Sequence, residues 1–219
     1  MREWKRALFY GEKLLKPRGE KPGVELCNIL IRIGALKFGL FTLTSGKLSP
    51  YYIDLRIVPS FPDVFKRIIG FYEEVARKAI GLKSFTRVSG IPTAGIPFAS
   101  VLAFNLGKPF LYARKEAKTH GREKRVEGLL HPGDKVLIVD DLITTGKSTI
   151  QAIEAVRAEG GVVKDALVLI DRQELGEQNL KKVGVKLHSY MKISKVAKIL
   201  MDIGTIDENQ YREILKQVA

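Results

Sequence analysis

The densest cluster of reactive side-chain types in the 219-residue chain is Val136-Leu-Ile-Val-Asp-Asp-Leu-Ile-Thr-Thr-Gly-Lys-Ser148. Two adjacent carboxylates, Asp140 and Asp141, end an apolar run, and Thr144-Thr145-Gly146-Lys147-Ser148 opens the next segment. Amide N–H groups at a helix start, flanked by small hydroxyl residues, make a cradle for a phosphate. Gly146 lets the backbone approach such an anion closely. The carboxylates repel the same phosphate, so they must face hydroxyls or a metal. A sugar phosphate satisfies both ends of the motif.

Two other uses compete for these residues. A nucleotide-binding P-loop needs G-x-x-x-x-G-K-[ST], and Gly146-Lys147-Ser148 supplies its second half. The first glycine would fall at Asp141, whose charge opposes the β- and γ-phosphates. An acidic pair that merely caps a helix beside a tight turn is the plainer alternative. Two carboxylates at a buried strand end, beside several hydroxyls, are a costly way to build a cap.

The elements that must position this motif alternate. Lys135 to Asp140 reads as a continuous apolar strand of the kind buried on both faces. A helix from about Ser148 to Glu159 comes next, stopped by Gly160-Gly161. Upstream, Ser60 is expected to cap a helix with a stripe of Val64, Ile68, Phe71, Tyr72, Val75, Ala76 and Ala79. Arg87 to Gly90 is a short strand, Ile96 to Leu106 a helix and Lys108 to Arg114 a strand. Val162 to Ile170 reads as a strand, and Val185 to Ser189 as a weaker one. Strands alternating with helices over residues 60–190 predict a mostly parallel twisted sheet, with ligands beyond the carboxyl ends of its strands.

The flanks are less regular. Helical spacing is expected in Met1 to Lys16 and again from Val24 to about Ile33. Phe41 to Gly46 starts as a strand and runs into a turn, and Tyr51 to Ile57 reads as a strand bounded by Pro50 and Pro59. Ser194 to Ala219 reads as two short helices separated by Gly204, with Asp207 as the cap of the second. A single cysteine, Cys27, excludes an intrachain disulfide or a cysteine-based zinc site and is expected to serve packing. No apolar run approaches the ~18 residues of a membrane span, and Met1 to Gly23 lacks the continuous apolar stretch of a signal peptide. A cytoplasmic protein without membrane partners is expected. The net charge of +13 calls for an anionic partner or a lysine-rich solvated surface.

The acidic-pair motif resembles the phosphoribosyl-pyrophosphate (PRPP) signature of the type I phosphoribosyltransferases. Three further blocks, in the family's order, are similar to those of the orotate phosphoribosyltransferases: Phe41 to Arg56, Arg114-Lys-Glu-Ala-Lys-Thr-His-Gly121, and Ile170-Asp-Arg-Gln-Glu174. The resemblance implies a type I phosphoribosyltransferase α/β core at 60–190. It adds an N-terminal helix and hood segment at 1–59, and C-terminal helices at 191–219 packing on core or hood.

It also implies roles. Asp140 and Asp141 hold the ribose, and Thr144, Thr145, Gly146, Lys147 and Ser148 the 5′-phosphate. Lys118 and His120, with Arg114 and Lys115, meet the departing diphosphate. Thr93, Ala94 and Gly95, in the loop Ser89 to Pro97, line its pyrophosphate site. Tyr52, Ile53, Thr144 and Arg172 surround the orotate. A Mg²⁺ ion would be held mainly by substrate and water rather than by a protein cage. Residues 114–128 would form a mobile lid over the neighbouring subunit's site, implying a homodimer.

Taken without the resemblance, Arg114, Lys115, Lys118 and His120 are a dense donor set for a diphosphate. The aperiodic charged run to Gly128 suits a lid, although a solvated loop is the plainer reading. An ordinary turn and a surface arginine are the corresponding plain readings for Ser89–Pro97 and Arg172. Two positions depart from the best-known bacterial pattern: Thr44 and Ala94 stand where many members carry lysines, so Lys47 and the loop must offset more of the diphosphate charge. Residues 114–125 hold six basic side chains against two acidic, and 126–180 five against ten. That distribution favours a basic lid over an acidic pocket rather than a nucleic-acid footprint. The alternatives are a PRPP-sensing nucleic-acid-binding regulator, or transfer to another base on the same fold.

Overall fold

The computed structural model describes residues 21–42, 46, 48–114 and 125–218. Two compact units divide the chain, one made of residues 69–192 and the other of residues up to 68 together with 193–219. The helix expected in Met1 to Lys16 lies outside the described residues.

The 69–192 unit is built on a six-stranded sheet: β3 (Arg87–Gly90), β4 (Phe110–Ala113), β5 (Val126–Glu127), β6 (Lys135–Ile143), β7 (Val162–Asp171) and β8 (Lys186–Lys192). Their order is β5-β4-β3-β6-β7-β8, and all pairs are parallel except β5 with β4. Helices α3 (Gly95–Asn105), α4 (Lys147–Ala158) and α5 (Gly176–Lys182) make the crossovers. This is the α/β core expected from the alternation.

The central strand shows why the residues choose this arrangement. Val136 and Ile138 pack in one cluster with Ile153 and Val156 of α4, Val168 of β7 and Leu180 of α5. Leu137 and Val139, which alternate to the opposite face, are fully buried as well. A strand covered on both faces must be apolar at every position, which is the observed run. His188 on β8 is buried with its Nε2 2.7 Å from Asp165 Oδ1, and the exposed His131 flanks Arg87 and Asp134.

The other unit contains α1 (Pro22–Arg32), a two-stranded antiparallel sheet of β1 (Leu36–Thr42) and β2 (Leu48–Ile53), and the C-terminal helices α6 (Ile193–Asp202) and α7 (Glu208–Leu215). Helix α1 packs on α6, and α7 on β2. Helix α2 (Pro62–Val75) carries the chain from one unit into the other. Asp207 caps α7 in a reciprocal box with Gln210, worth about 1 kcal/mol.

Several boundaries differ from the sequence reading. Strand β1 begins at Leu36, well before Phe41. Strand β2 contains Pro50 and stops at Ile53, where Asp54 accepts the amide of Arg56 and turns the chain into a 3-10 helix, Leu55–Ser60. Pro50 is tolerated because the pairing skips it: Phe38 opposes Tyr51, Phe41 opposes Ser49, and the bulge between them leaves no ladder bond for proline to break. Ser60 belongs to the 3-10 turn, and the Phe61 carbonyl takes the first bond of α2, from the amide of Phe65. Helix α2 gives way to a π-helical turn at Ala76–Ile80.

Candidate active site

The order in which strands join the sheet reverses at the parallel pair β3 and β6: from β3 the sheet grows outward to β4 on one side and through β6 to β7 and β8 on the other. Ligands bind in the crevice beyond the strand ends at such a reversal. The acidic pair sits there. Pairing of β6 with β3 ends at Gly90 opposite Val139, succeeded by one bond from Ile91 N to Val139 O at 3.2 Å. Strand β6 itself continues to Ile143 on β7. The sequence places Asp140 and Asp141 at the end of the strand; instead they occupy the stretch where it has outrun β3.

Adjacent strand residues point to opposite sides, and the two carboxylates have different surroundings. Asp141 is 8% exposed while Asp140 is half-buried. Asp140 Oδ1 accepts the amide of Asp141 at 3.0 Å, and Asp141 Oδ1 accepts that of Leu142 at 2.8 Å. Asp140 also lies against the start of α3, since a Cβ on Gly95 would come within 2.6 Å of its Oδ1 and 2.8 Å of Val139 O. Beneath the pair, Tyr72 donates its hydroxyl to Asp140 O at 2.8 Å. Burial, then the charges of Asp141 and Asp140, hold the Tyr72 phenol well above its ordinary value, so it stays a donor. Spacing alone marks Tyr72 only as part of an apolar stripe. A buried tyrosine must find a partner for its hydroxyl, and that is the signal its residue type carries.

Behind the acids, Gly146 adopts φ +78° and caps α4, a conformation that side chains resist. Thr144 is half-buried, and Thr145, Lys147 and Ser148 are exposed. The first amides of α4 have no intrahelical acceptor and stand at the positive end of the helix dipole. The turn after β3 supplies the opposing wall. Gly95 N donates to Ile91 O at 3.0 Å, the Pro92–Thr93 peptide is cis, Thr93 is exposed and Ala94 half-buried.

A small cleft between the β3 turn and the start of α4 is lined by Ile91, Pro92, Arg114, Arg125, Ser148 and Gln151 among others. Arg114 donates to Glu127 at 3.1 Å, and its amide donates to Arg125 O at 2.7 Å. Glu159 Oε1 accepts the amides of Arg125 and Val126, both at 2.9 Å, which pins the return of the chain. Gln151 is absent from the sequence-based candidates because it stands outside the recognisable motifs, and Arg125 enters them only as part of the charged run to Gly128. Lys115, Lys118 and His120 lie outside the described residues, as do Thr44 and Lys47.

Arg172 comes directly after β7, at the carboxyl end of the sheet. It is 5% exposed, and its Nη2 lies 2.9 Å from Glu174 Oε1. Tyr52 and Ile53 belong to the other unit, on β2. Ile53 is buried, and the Tyr52 hydroxyl accepts from Arg56 at 3.0 Å with its ring 5.6 Å from that of Phe41. Among the described residues no three His, Cys, Asp or Glu side chains are grouped to hold a metal ion, and no helix is long and apolar enough to cross a membrane.

A sheet reversal bearing an acidic pair, with a hydroxyl-rich helix start behind it and a small-residue turn opposite, lies within the stretch that a known family shares. Residues 62–198 match the model of the phosphoribosyl transferase domain. The chain is 42% identical over 190 residues to the orotate phosphoribosyltransferase of Pyrobaculum islandicum, covering 86% of this chain and 95% of that one. It resembles the crystal structure of orotate phosphoribosyltransferase from Aeropyrum pernix with a TM-score of 0.73 at 36% identity, over 83% of this chain and 99% of that one. Its likeness to the UMP synthase of Leishmania donovani has a TM-score of 0.79 at 30% identity, over 98% of this chain but only 44% of that polypeptide. The chain belongs to the orotate phosphoribosyltransferase family.

Proposed function

We propose that the chain transfers the 5-phosphoribosyl group of PRPP to orotate, releasing pyrophosphate and orotidine 5′-monophosphate in pyrimidine biosynthesis. The observation that carries the reading is the acidic pair beyond the end of β3, with the Gly146 turn behind it and the Gly95 turn beside it.

The C1′–N1 bond forms as the C1′–O bond to the diphosphate breaks, and the diphosphate leaves with the electron pair. Orotate delivers its ring nitrogen already deprotonated, so no general base is required. Positive charge grows on the ribose ring and negative charge on the leaving group, so stabilisers of opposite sign must face each other. Asp140 and Asp141 hold the ribose hydroxyls and favour the transient positive charge. Thr144 to Ser148 anchor the 5′-phosphate, and the Thr93–Gly95 backbone faces the diphosphate. Lys118, with His120, Arg114 and Lys115, meets the developing negative charge. Tyr52, Ile53, Thr144 and Arg172 surround the base, and the Arg172 fork suits its carboxylate.

With no group of three ligating side chains among the described residues, a Mg²⁺ ion would be held mainly by substrate and water beside Asp140 and Asp141, whose hard oxygens suit such a neighbour. When bound there, such an ion supplies neutralisation of diphosphate charge. A homodimer, with the 114–128 lid serving the neighbouring subunit's site, completes the reading. The cytoplasm is its expected setting.

The test is a spectrophotometric assay for PRPP-dependent orotate consumption, with uracil and adenine as control bases. Orotate alone should be consumed, and Lys118→Ala should keep PRPP binding while losing most turnover. Consumption of a control base instead of orotate would refute the substrate assignment.

A further inference from the structure

Three consecutive carbonyls, from the last residue of β6 into the turn after it, rest on one short segment further along the chain. Ile143 O accepts the amide of Arg172 at 3.0 Å. Thr144 O approaches Gly176 so closely that a Cβ there would lie 2.7 Å from it. Thr145 O accepts from Asn179 Nδ2 at 3.0 Å. A trans peptide sets each carbonyl antiparallel to the N–H of the next residue. Holding these carbonyls on residues 172–179 thus turns the N–H groups of Thr144, Thr145 and Gly146 to the opposite side. There they extend the row of amides that begins α4, and successive amides facing one way bind an anion.

The backing is itself fixed. Lys182 Nζ donates to Asn179 Oδ1 at 3.3 Å, which leaves Nδ2 as the group facing Thr145. Leu180, fully buried, fills the space beside Gly146, since a Cβ on that glycine would meet its Cδ1 at 2.8 Å. Both Asn179 and Gly176 approach the turn from its carbonyl side, opposite the amides.

We propose that Asn179 is a positioning residue for the 5′-phosphate: by holding the Thr145 carbonyl it aims the Gly146 amide at the anion, with Gly176 leaving room for the Thr144 carbonyl beside it. The inference rests on the phosphoribosyl reading above and extends it to residues outside the signature motif.

Asn179→Asp is the informative variant, because it keeps volume and an oxygen for Lys182 but gives no N–H to Thr145. Ribose 5-phosphate is titrated calorimetrically into the full chain, and KM is measured for both substrates. Loss of one hydrogen bond should raise the ribose 5-phosphate Kd and the PRPP KM about fivefold. Orotate KM should stay within about twofold, and Tm within about 2 °C. Gly176→Ala, which drives a Cβ into a backbone carbonyl, should move the same two constants further. Unchanged phosphate affinity in Asn179→Asp overturns the proposal, whether or not Tm falls, and so does an equal rise in both KM values. Failure of the wild-type chain to bind ribose 5-phosphate overturns both this proposal and the reading beneath it.

Discussion

The turns after β3 and after β6 leave neighbouring parallel strands at the same end of the sheet, and each leads into a helix. Their chemistry diverges. The β3 turn, Ile91 to Ala94, opens α3, an uncharged helix with Gly95, Phe98, Ala99, Leu102 and Ala103 buried. The β6 turn comes after two carboxylates, contains three hydroxyl residues by Ser148, and starts an amphipathic helix. Both offer helix-start amides, so backbone alone does not distinguish them. What differs is where charge resides: the β6 side holds the acids and the shaped phosphate turn, while the β3 side is neutral and tightly packed. A diphosphate lodged on the β3 side therefore needs cations from elsewhere, which is the role proposed for the lid residues.

The comparison breaks most visibly at the acids. Asp140→Asn combined with Asp141→Asn should lower kcat/KM on the order of 10²–10³-fold, the scale of losing charge stabilisation in a transition state. The same double variant should bind inorganic phosphate no more weakly than wild type, measured by calorimetry. Weakened phosphate binding would assign the acids to the wrong end of the sugar.

Gly95→Ala asks whether the two turns act as one site. The new Cβ would meet Asp140 Oδ1 at 2.6 Å, Val139 O at 2.8 Å and Asp140 Cα at 3.0 Å. Two of these are backbone atoms, so the strand or the helix must shift, at a cost of about 1–3 kcal/mol. Denaturant midpoints should fall accordingly, and PRPP KM should rise. An alanine variant of full activity and stability would make the turns independent.

Asp171, fully buried at the end of β7, gives a subtler contrast. Burial holds its carboxyl above the usual carboxylate range. Its Oδ1 accepts the amide of Gln173 at 2.7 Å. A raised acid favours folding in its protonated form, so its stabilising contribution is present below the unfolded value and fades as pH rises through the folded one. Asp171→Asn retains an oxygen for Gln173 and removes this dependence. Urea midpoints from about pH 4 upward should shift in the variant's favour as pH increases, then level off. A constant difference across that range would contradict the assignment.

The smallest effect is a control. Cys27, on α1 of the other unit, is fully buried, and burial pushes its thiol up to about 12. It should ignore thiol reagents at neutral pH in wild type and in each variant above, reacting only on unfolding. Labelling of folded Gly95→Ala at Cys27 would show that the damage is not confined to the turn.

Much of this site is legible from residue type and order. The apolar run at 135–140, the adjacent acids and the Gly146 turn together imply a buried strand, a helix start and a sugar phosphate without coordinates. The extension of β6 to Ile143 is not legible, because charged residues normally end a buried strand. Here they continue it because β3 has stopped and β7 has not. Strand β2 is misplaced by its sequence because Pro50 looks like a boundary until the bulge opposite it is known. Helix α5, Gly-Glu-Gln-Asn-Leu-Lys-Lys, carries one apolar residue, Leu180, and so has no periodicity to read. Its part in backing the phosphate turn depends on contacts between distant segments, which local spacing does not encode. The pairing of Arg172 with Glu174 is of the same kind, since two charges two residues apart face each other only when the intervening backbone turns.

The most direct test is the structure of the chain with PRPP bound. The 5′-phosphate should lie within about 2.7–3.2 Å of amides between Thr144 and Ser148. The ribose hydroxyls should meet Asp140 and Asp141, and the diphosphate the backbone of Thr93 to Gly95. A diphosphate seated on the Gly146 turn, with the 5′-phosphate on the β3 side, would contradict the account.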